Sequence, residues 1–152
     1  MKNENFVDPR KIMLVNKELK VYAYDIDVMG IVSNIVYVRW FEDLRTKMLD
    51  IYFPLKEMLS YGAAPILAKT EIEYKFPITI DDDPVGEVWV EKMGRSKWEL
   101  GLRIFSGERT HCLGKQVGYY YNMQDKRPAP MPRKFYDLYL AEVEKSQLLV
   151  SE

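Results

Sequence analysis

The feature that most constrains this chain is a single long amphipathic helix with strand-patterned sequence after it. Tyr37, Trp40, Phe41, Leu44, Met48, Ile51 and Tyr52 recur at spacings of three and four, which draws one apolar stripe along a helix. Ile35, Val36 and Val38 widen the stripe, so the first turns are expected to be buried nearly all round. Asn34 or Ser33 is placed to cap the helix, because both side chains accept from free backbone N–H groups. Pro54 stops it, and a short second helix over 55–61 ends at Gly62. One such stripe must find an apolar face to lie on, and the flanking segments offer sheet.

Residues 17–24 alternate, with Leu19, Val21 and Ala23 on one side, which predicts a leading half-buried strand. Residues 69–76 alternate without a break, placing Thr70, Ile72, Tyr74 and Phe76 on a core and Lys69, Glu71, Glu73 and Lys75 in water. Residues 86–93 and 97–105 read as a hairpin joined through Gly94-Arg95-Ser96. Residues 112–123 form a further strand, whose Gly114 and Gly118 share a face and signal close approach of another element, such as the helix. The segment 127–133 holds three prolines and is expected to be irregular, and an amphipathic helix closes the chain over about 133–149. The expected class is α+β, with helix packed on antiparallel sheet.

Length and charge narrow the function. With 152 residues the chain is expected to be one domain, 1–152, able to bury a core without disulfide or metal. Lys plus Arg number 22 and Asp plus Glu 23, a net charge of −1. That balance excludes a strongly basic nucleic-acid binder. One Cys and one His exclude an internal disulfide and any Cys₂His₂ or His₃ zinc site within one chain. Residues 1–7 lack an apolar signal-peptide core, and no apolar run approaches the ~20 residues of a membrane helix. A cytoplasmic protein without membrane attachment is the expectation.

One stretch carries more information. Tyr24-Asp25-Ile26-Asp27-Val28-Met29-Gly30-Ile31-Val32-Ser33-Asn34, then Tyr37, then Trp40-Phe41-Glu42 and Arg45, resembles the hotdog-fold thioesterases of the 4-hydroxybenzoyl-CoA thioesterase superfamily. Their pattern is D-x-D-x-x-G-x-V, an N or H, a following Y, and F-E-x-x-R in the helix. The resemblance extends over about residues 17–137. It implies a hotdog fold, an antiparallel sheet wrapped around a long central helix. It implies an acyl-CoA thioesterase that hydrolyses an acyl- or aroyl-CoA to free acid and coenzyme A, with no cofactor and no metal. It further implies a homo-oligomer, dimer or tetramer, with active sites at the dimer interface.

Residue by residue, the resemblance makes Asp27 the catalytic carboxylate. It makes the backbone N–H at Asn34 the donor to the thioester carbonyl, and Gly30, Ile31 and Val32 the bend that lets the loop reach the helix end. Tyr37 is a candidate for the acyl pocket, and Arg95 and Lys97 for the phosphates of coenzyme A, with Arg127, Arg133 and Lys134 as lesser candidates. The chemistry is consistent with these roles. Thioester hydrolysis needs an attacking group or a general base, which a carboxylate supplies. It also needs a place for the developing oxyanion, which a helix N-terminus supplies.

Plainer readings stand beside these. An Asp before a Gly is a common turn former, and Asp25 is read as a hydrogen-bonding partner that shapes the loop. Glu42, about two turns into the helix, is read as an ion-pair partner of Arg45. Asp81, Asp82 and Asp83 form a solvated turn. Adjacent on a strand, His111 and Cys112 point to opposite faces, so a buried Cys and an exposed His are expected. Relatives often carry a His four or seven residues after the catalytic Asp; Ile31 and Asn34 stand there. The rival functions are an acyl-carrier-protein thioesterase, a dehydratase or hydratase, and an acyl-CoA-binding hotdog domain without turnover. A dehydratase of this fold pairs a His with a carboxylate, and the one His lies outside the motif.

Overall fold

In the computed structural model, the described residues are Asp8 and 10–151. Residues 1–7, where no signal-peptide core is legible, lie outside them. The strands are β1 (Ile12–Glu18), β2 (Ala63–Tyr74), β3 (Val85–Met93), β4 (Lys97–Ser106), β5 (Arg109–Asn122) and the two-residue β6 (Arg127–Pro128). The helices are α1 (Asn34–Tyr52), α2 (Leu55–Ser60) and α3 (Arg133–Ser151). The strands form one antiparallel sheet in the order β1-β3-β4-β5-β2, with β6 added to β5. This is the helix-on-sheet hotdog arrangement expected above.

The helix lies on the sheet because the apolar stripe of α1 meets two strand glycines. A Cβ on Gly114 of β5 would stand 2.4 Å from Phe41, and one on Gly86 of β3 would stand 2.7 Å from Leu44. Both side chains are fully buried. The absence of two methyl groups lets the helix settle directly onto the strands. Gly118 is covered differently, by Trp98 of the neighbouring strand.

Several expectations change. The leading strand is Ile12–Glu18, not 17–24. Within 17–24, Leu19 is buried and its N–H donates to the Pro84 carbonyl at 2.9 Å, but the chain has left the ladder and makes a 3-10 turn at Ala23–Asp25. Leu19 and the partly buried Val21 pack on the core without strand pairing, while Ala23 is exposed. The true strand hides its period because a bulge interrupts it, with Met13 at φ 56° and the register shifting between Ile12 and Val15. The sheet therefore begins before residue 17. β2 starts earlier than the alternation suggested, at Ala63, and α3 runs two residues past 149. Part of the proline segment pairs after all, as β6.

Burial departs from the pattern at both ends of α1; in the last turn, Ile51 of the expected stripe is exposed. Ile35 and Val38 on the first turns of α1 are exposed, as are Tyr74 and Phe76. His111 is fully buried beside an equally buried Cys112. The strict alternation of a strand fails there because a register shift falls between Ile104 and Phe105, opposite this part of β5, and because the chain leaving β2 folds over His111. Among the described residues, no helix is long and apolar enough to cross a membrane.

Candidate active site

The candidate site is built by a small hairpin that delivers the chain to the start of α1. Ile26 and Val32 bridge. Between them the Asp27 N–H donates to the Ile31 carbonyl at 2.8 Å, and the Gly30 N–H donates to the Asp27 carbonyl at 3.0 Å. Gly30 sits at φ 78°. A tight turn closed by a left-handed residue is a standard short hairpin connection, and glycine adopts that conformation without a Cβ clash.

Asp27 occupies the first position of this turn. Its Oδ1 accepts from the Met29 N–H at 2.8 Å, with the Ile31 N–H further off at 3.5 Å. This is the Asx-type bond that makes Asp a turn former. The turn and the chemical reading are compatible: one carboxylate oxygen holds the loop, and Oδ2 is given no protein donor among the described residues. Asp27 is exposed. Val28 and Met29 are also exposed, so a single protomer does not shield the carboxylate from water.

Asp25 takes the structural role. It is 1% exposed, its carboxylate accepts from Arg39 of α1 at 2.8 Å and from the Tyr22 N–H at 2.9 Å, and its carbonyl accepts from the Ser33 N–H at 2.9 Å. It thereby ties the loop to the helix it introduces.

Ser33 is the helix cap, but its side chain makes no capping bond. Asn34 is the first helical residue. The Val36 N–H turns back to the Ser33 carbonyl at 3.0 Å, while the N–H groups of Asn34 and Ile35 belong to the first turn, which has no intrahelical acceptor. They are available to an anionic oxygen. Three outside contacts hold this turn. The Val32 N–H donates to the Ile78 carbonyl at 2.8 Å, the Tyr74 hydroxyl donates to the Asn34 carbonyl at 3.0 Å, and Tyr37 packs edge-on against Tyr74 and Trp40.

Tyr37 is buried, so in one protomer it is a wall behind the site with little surface to offer an acyl group. Burial pushes its hydroxyl up to about 12, with Cys112 and Tyr74 adding to the shift. Burial likewise pushes the Cys112 thiol up to about 12, which leaves it protonated and a poor nucleophile. Glu42 pairs with Arg45, which also donates to Gln116 at 2.8 Å, in agreement with the ion-pair reading. Asp82 accepts from the Thr79 N–H at 2.8 Å within its turn.

Arg95 and Lys97 are not brought to Asp27 within one protomer. Lys97 pairs with Tyr119, whereas Ile104 pairs with Cys112 beside Tyr74. That places the hairpin tip roughly 23 Å along the sheet, at ~3.3 Å per residue. The tip instead joins the segment before α3: the Arg95 carbonyl accepts from the Met131 N–H at 2.7 Å. A cleft of about 600 Å³ lies at this end, lined by Tyr61, Tyr120, Met131, Arg133 and Lys134 among others. Sequence reading missed Tyr74 as a contributor to the helix start. Its place on the strand was legible, but its bond to a residue 40 positions away in the chain carries no local signal.

Comparison with known proteins supplies a family context. The family model for the thioesterase-like superfamily matches residues 21–138. A putative esterase of Aquifex aeolicus is 28% identical over 104 residues, covering 63% of this chain and 81% of the relative. The acyl-CoA thioester hydrolase YbgC of Escherichia coli O157:H7 is 28% identical over 93 residues, covering 60% and 69%. A thioesterase of Thermus thermophilus, solved with coenzyme A and zinc, superposes with a TM-score of 0.75 at 21% identity, covering 88% of this chain and 96% of that one. A DHNA-CoA thioesterase of Staphylococcus aureus gives 0.72 at 22% identity, covering 91% and 93%.

Proposed function

The chain belongs to the thioesterase-like superfamily, and on that premise we propose its reaction: it hydrolyses the thioester of an acyl- or aroyl-CoA to the free acid and coenzyme A. The observation that carries the reading is the pairing of a carboxylate whose Oδ2 has no donor among the described residues with an open helix N-terminus, joined by one tight hairpin. Asp27 attacks the thioester carbonyl, or draws a proton from the water that does. The first N–H groups of α1, at Asn34 and Ile35, receive the developing oxyanion, where the helix dipole favours negative charge. The bend Gly30-Ile31-Val32 sets the distance between the two. The acyl-CoA thioester hydrolase relative supports the coenzyme A substrate.

The working unit in this proposal is a homo-oligomer in the cytoplasm, a dimer or a pair of dimers. Two features support assembly. Tyr24, Val28, Met29, Ile35 and Val38 are apolar or aromatic and exposed around the loop and the first turns of α1, and such patches mark interfaces. The twelve-residue β2 is an edge strand, and exposed edges invite pairing. A second copy would cover Asp27 and Tyr37's surroundings. It would also allow its own Arg95 and Lys97 to meet the phosphates of coenzyme A.

The test is thiol release by the purified chain from short, long and aromatic acyl-CoAs, with an acyl-carrier-protein thioester and an enoyl-CoA alongside. Hydrolysis of one acyl-CoA class is expected. Faster turnover of the carrier-linked substrate would move the reading to a carrier-protein thioesterase. Binding without release of thiol from any substrate would overturn catalysis.

A further inference from the structure

We infer that His111, which stands outside the loop–helix motif, is a positioning residue for the reaction proposed above: it sets the place of the α1 N-terminus through residues 76–78. This inference rests on the thioesterase reading for its kinetic consequence but not for its geometry.

The β2 ladder ends at Tyr74, paired with Cys112. Pro77 has no N–H and cannot continue it. Beyond that point one residue takes both backbone polar groups of Phe76. The His111 carbonyl accepts from the Lys75 and Phe76 N–H groups at 2.8 and 3.1 Å, and the His111 ring bonds the Phe76 carbonyl through Nδ1 at 2.9 Å. A carbonyl only accepts, so Nδ1 carries the proton. The other ring nitrogen, Nε2, stands 2.7 Å from the Ser106 hydroxyl, a group that can donate or accept. The ring is fully buried and held at both nitrogens.

Two residues further, Ile78 is fully buried. Its carbonyl receives the Val32 N–H at 2.8 Å. Val32 directly precedes the helix cap. A path of hydrogen bonds and short covalent steps thus runs from Ser106 through His111, Phe76 and Ile78 to Val32, at the entry to the helix. Removing the ring leaves the Phe76 carbonyl without its donor and frees 76–78 to move. The Asn34 and Ile35 N–H groups move with it. They serve the transition state more than the bound substrate, so the loss falls on kcat and not on KM.

Three measurements test this. His111→Leu is expected to lower kcat about 10–10²-fold with KM within about twofold, and to speed hydrogen exchange at the Val32 amide. His111→Asn, whose amide nitrogen can stand where Nδ1 stands, is expected to restore most of kcat and the slow exchange. Long-range ¹H–¹⁵N spectra of the unmodified protein are expected to show the Nδ1–H tautomer. A folded Leu variant with unchanged kcat, or with Val32 exchange as slow as before, overturns the inference. So does an Asn variant as impaired as the Leu variant, or a ring protonated at Nε2 alone. If His111→Leu does not fold, the tautomer and the Asn variant decide. If the unmodified protein releases no thiol, the thioesterase reading fails by itself, while exchange and tautomer still judge the role of His111.

Discussion

Asp27→Asn separates the turn from the chemistry, because the structure gives the two carboxylate oxygens different work. Oδ1 accepts from the Met29 N–H at 2.8 Å, and the asparagine carbonyl can accept the same bond. Stability is therefore expected to stay within about 1 kcal/mol of the unmodified protein. Oδ2 becomes an amide nitrogen, which can neither attack a carbonyl nor take a proton. Loss of a general base typically costs ~10²–10⁴-fold in rate, equivalent to about 2.7–5.4 kcal/mol of barrier. Asp27→Ala adds the loss of the turn bond, about 0.5–1.5 kcal/mol, or a fall of a few degrees in Tm for a chain of this size. The assay is thiol release from the best acyl-CoA substrate, with thermal unfolding of the three proteins side by side. The expected result is an Asn variant that melts near the unmodified protein and is nearly inactive, with an Ala variant inactive and less stable. An Asn variant that melts normally and hydrolyses normally would refute the assignment. The carboxylate of Asp27 would then be a turn former and nothing more.

Three further expectations follow from particular contacts. Gly114→Ala puts a methyl group 2.4 Å from Phe41, and such overpacking should cost about 1–3 kcal/mol in a urea titration. Tyr37 and Cys112 both rise to about 12, from 10.0 and 9.0, chiefly through burial. The folded chain thus holds these protons longer than the unfolded chain does. Stability should be intact below pH 9 and fall as pH rises toward 12, seen as unfolding that accompanies tyrosinate and thiolate absorbance. Val38→Arg places a charge on the exposed apolar start of α1; sedimentation should show a smaller assembly than the unmodified protein if this face joins copies.

What the sequence determined by itself was local or periodic. The stripe of α1 from Tyr37 to Met48, its stop at Pro54 and the strand patterns of β3 and β4 are each written in neighbouring residues, and the structure keeps them, though Ile51 at the end of the stripe is exposed. The same holds for the bend at Gly30, where a tight turn demands a residue free to take positive φ. The small residues of β5 announced a close approach, and at Gly114 the helix is what approaches. Tertiary structure decided the rest, because the relevant partners lie far apart in the chain. β1 is a strand because it pairs with β3 across a bulge that blurs its own period. The exposure of Ile35 and Val38 depends on where the sheet stops covering α1, which the helical period does not encode. His111 is buried because the chain leaving β2 crosses over it and needs a donor for the Phe76 carbonyl, a demand that exists only once the sheet has formed. Two aspartates two residues apart carry the same group, and in the sequence only the family resemblance gave them different roles; the folded hairpin supplies the physical ground, with Asp25 facing Arg39 in the interior while Asp27 turns outward.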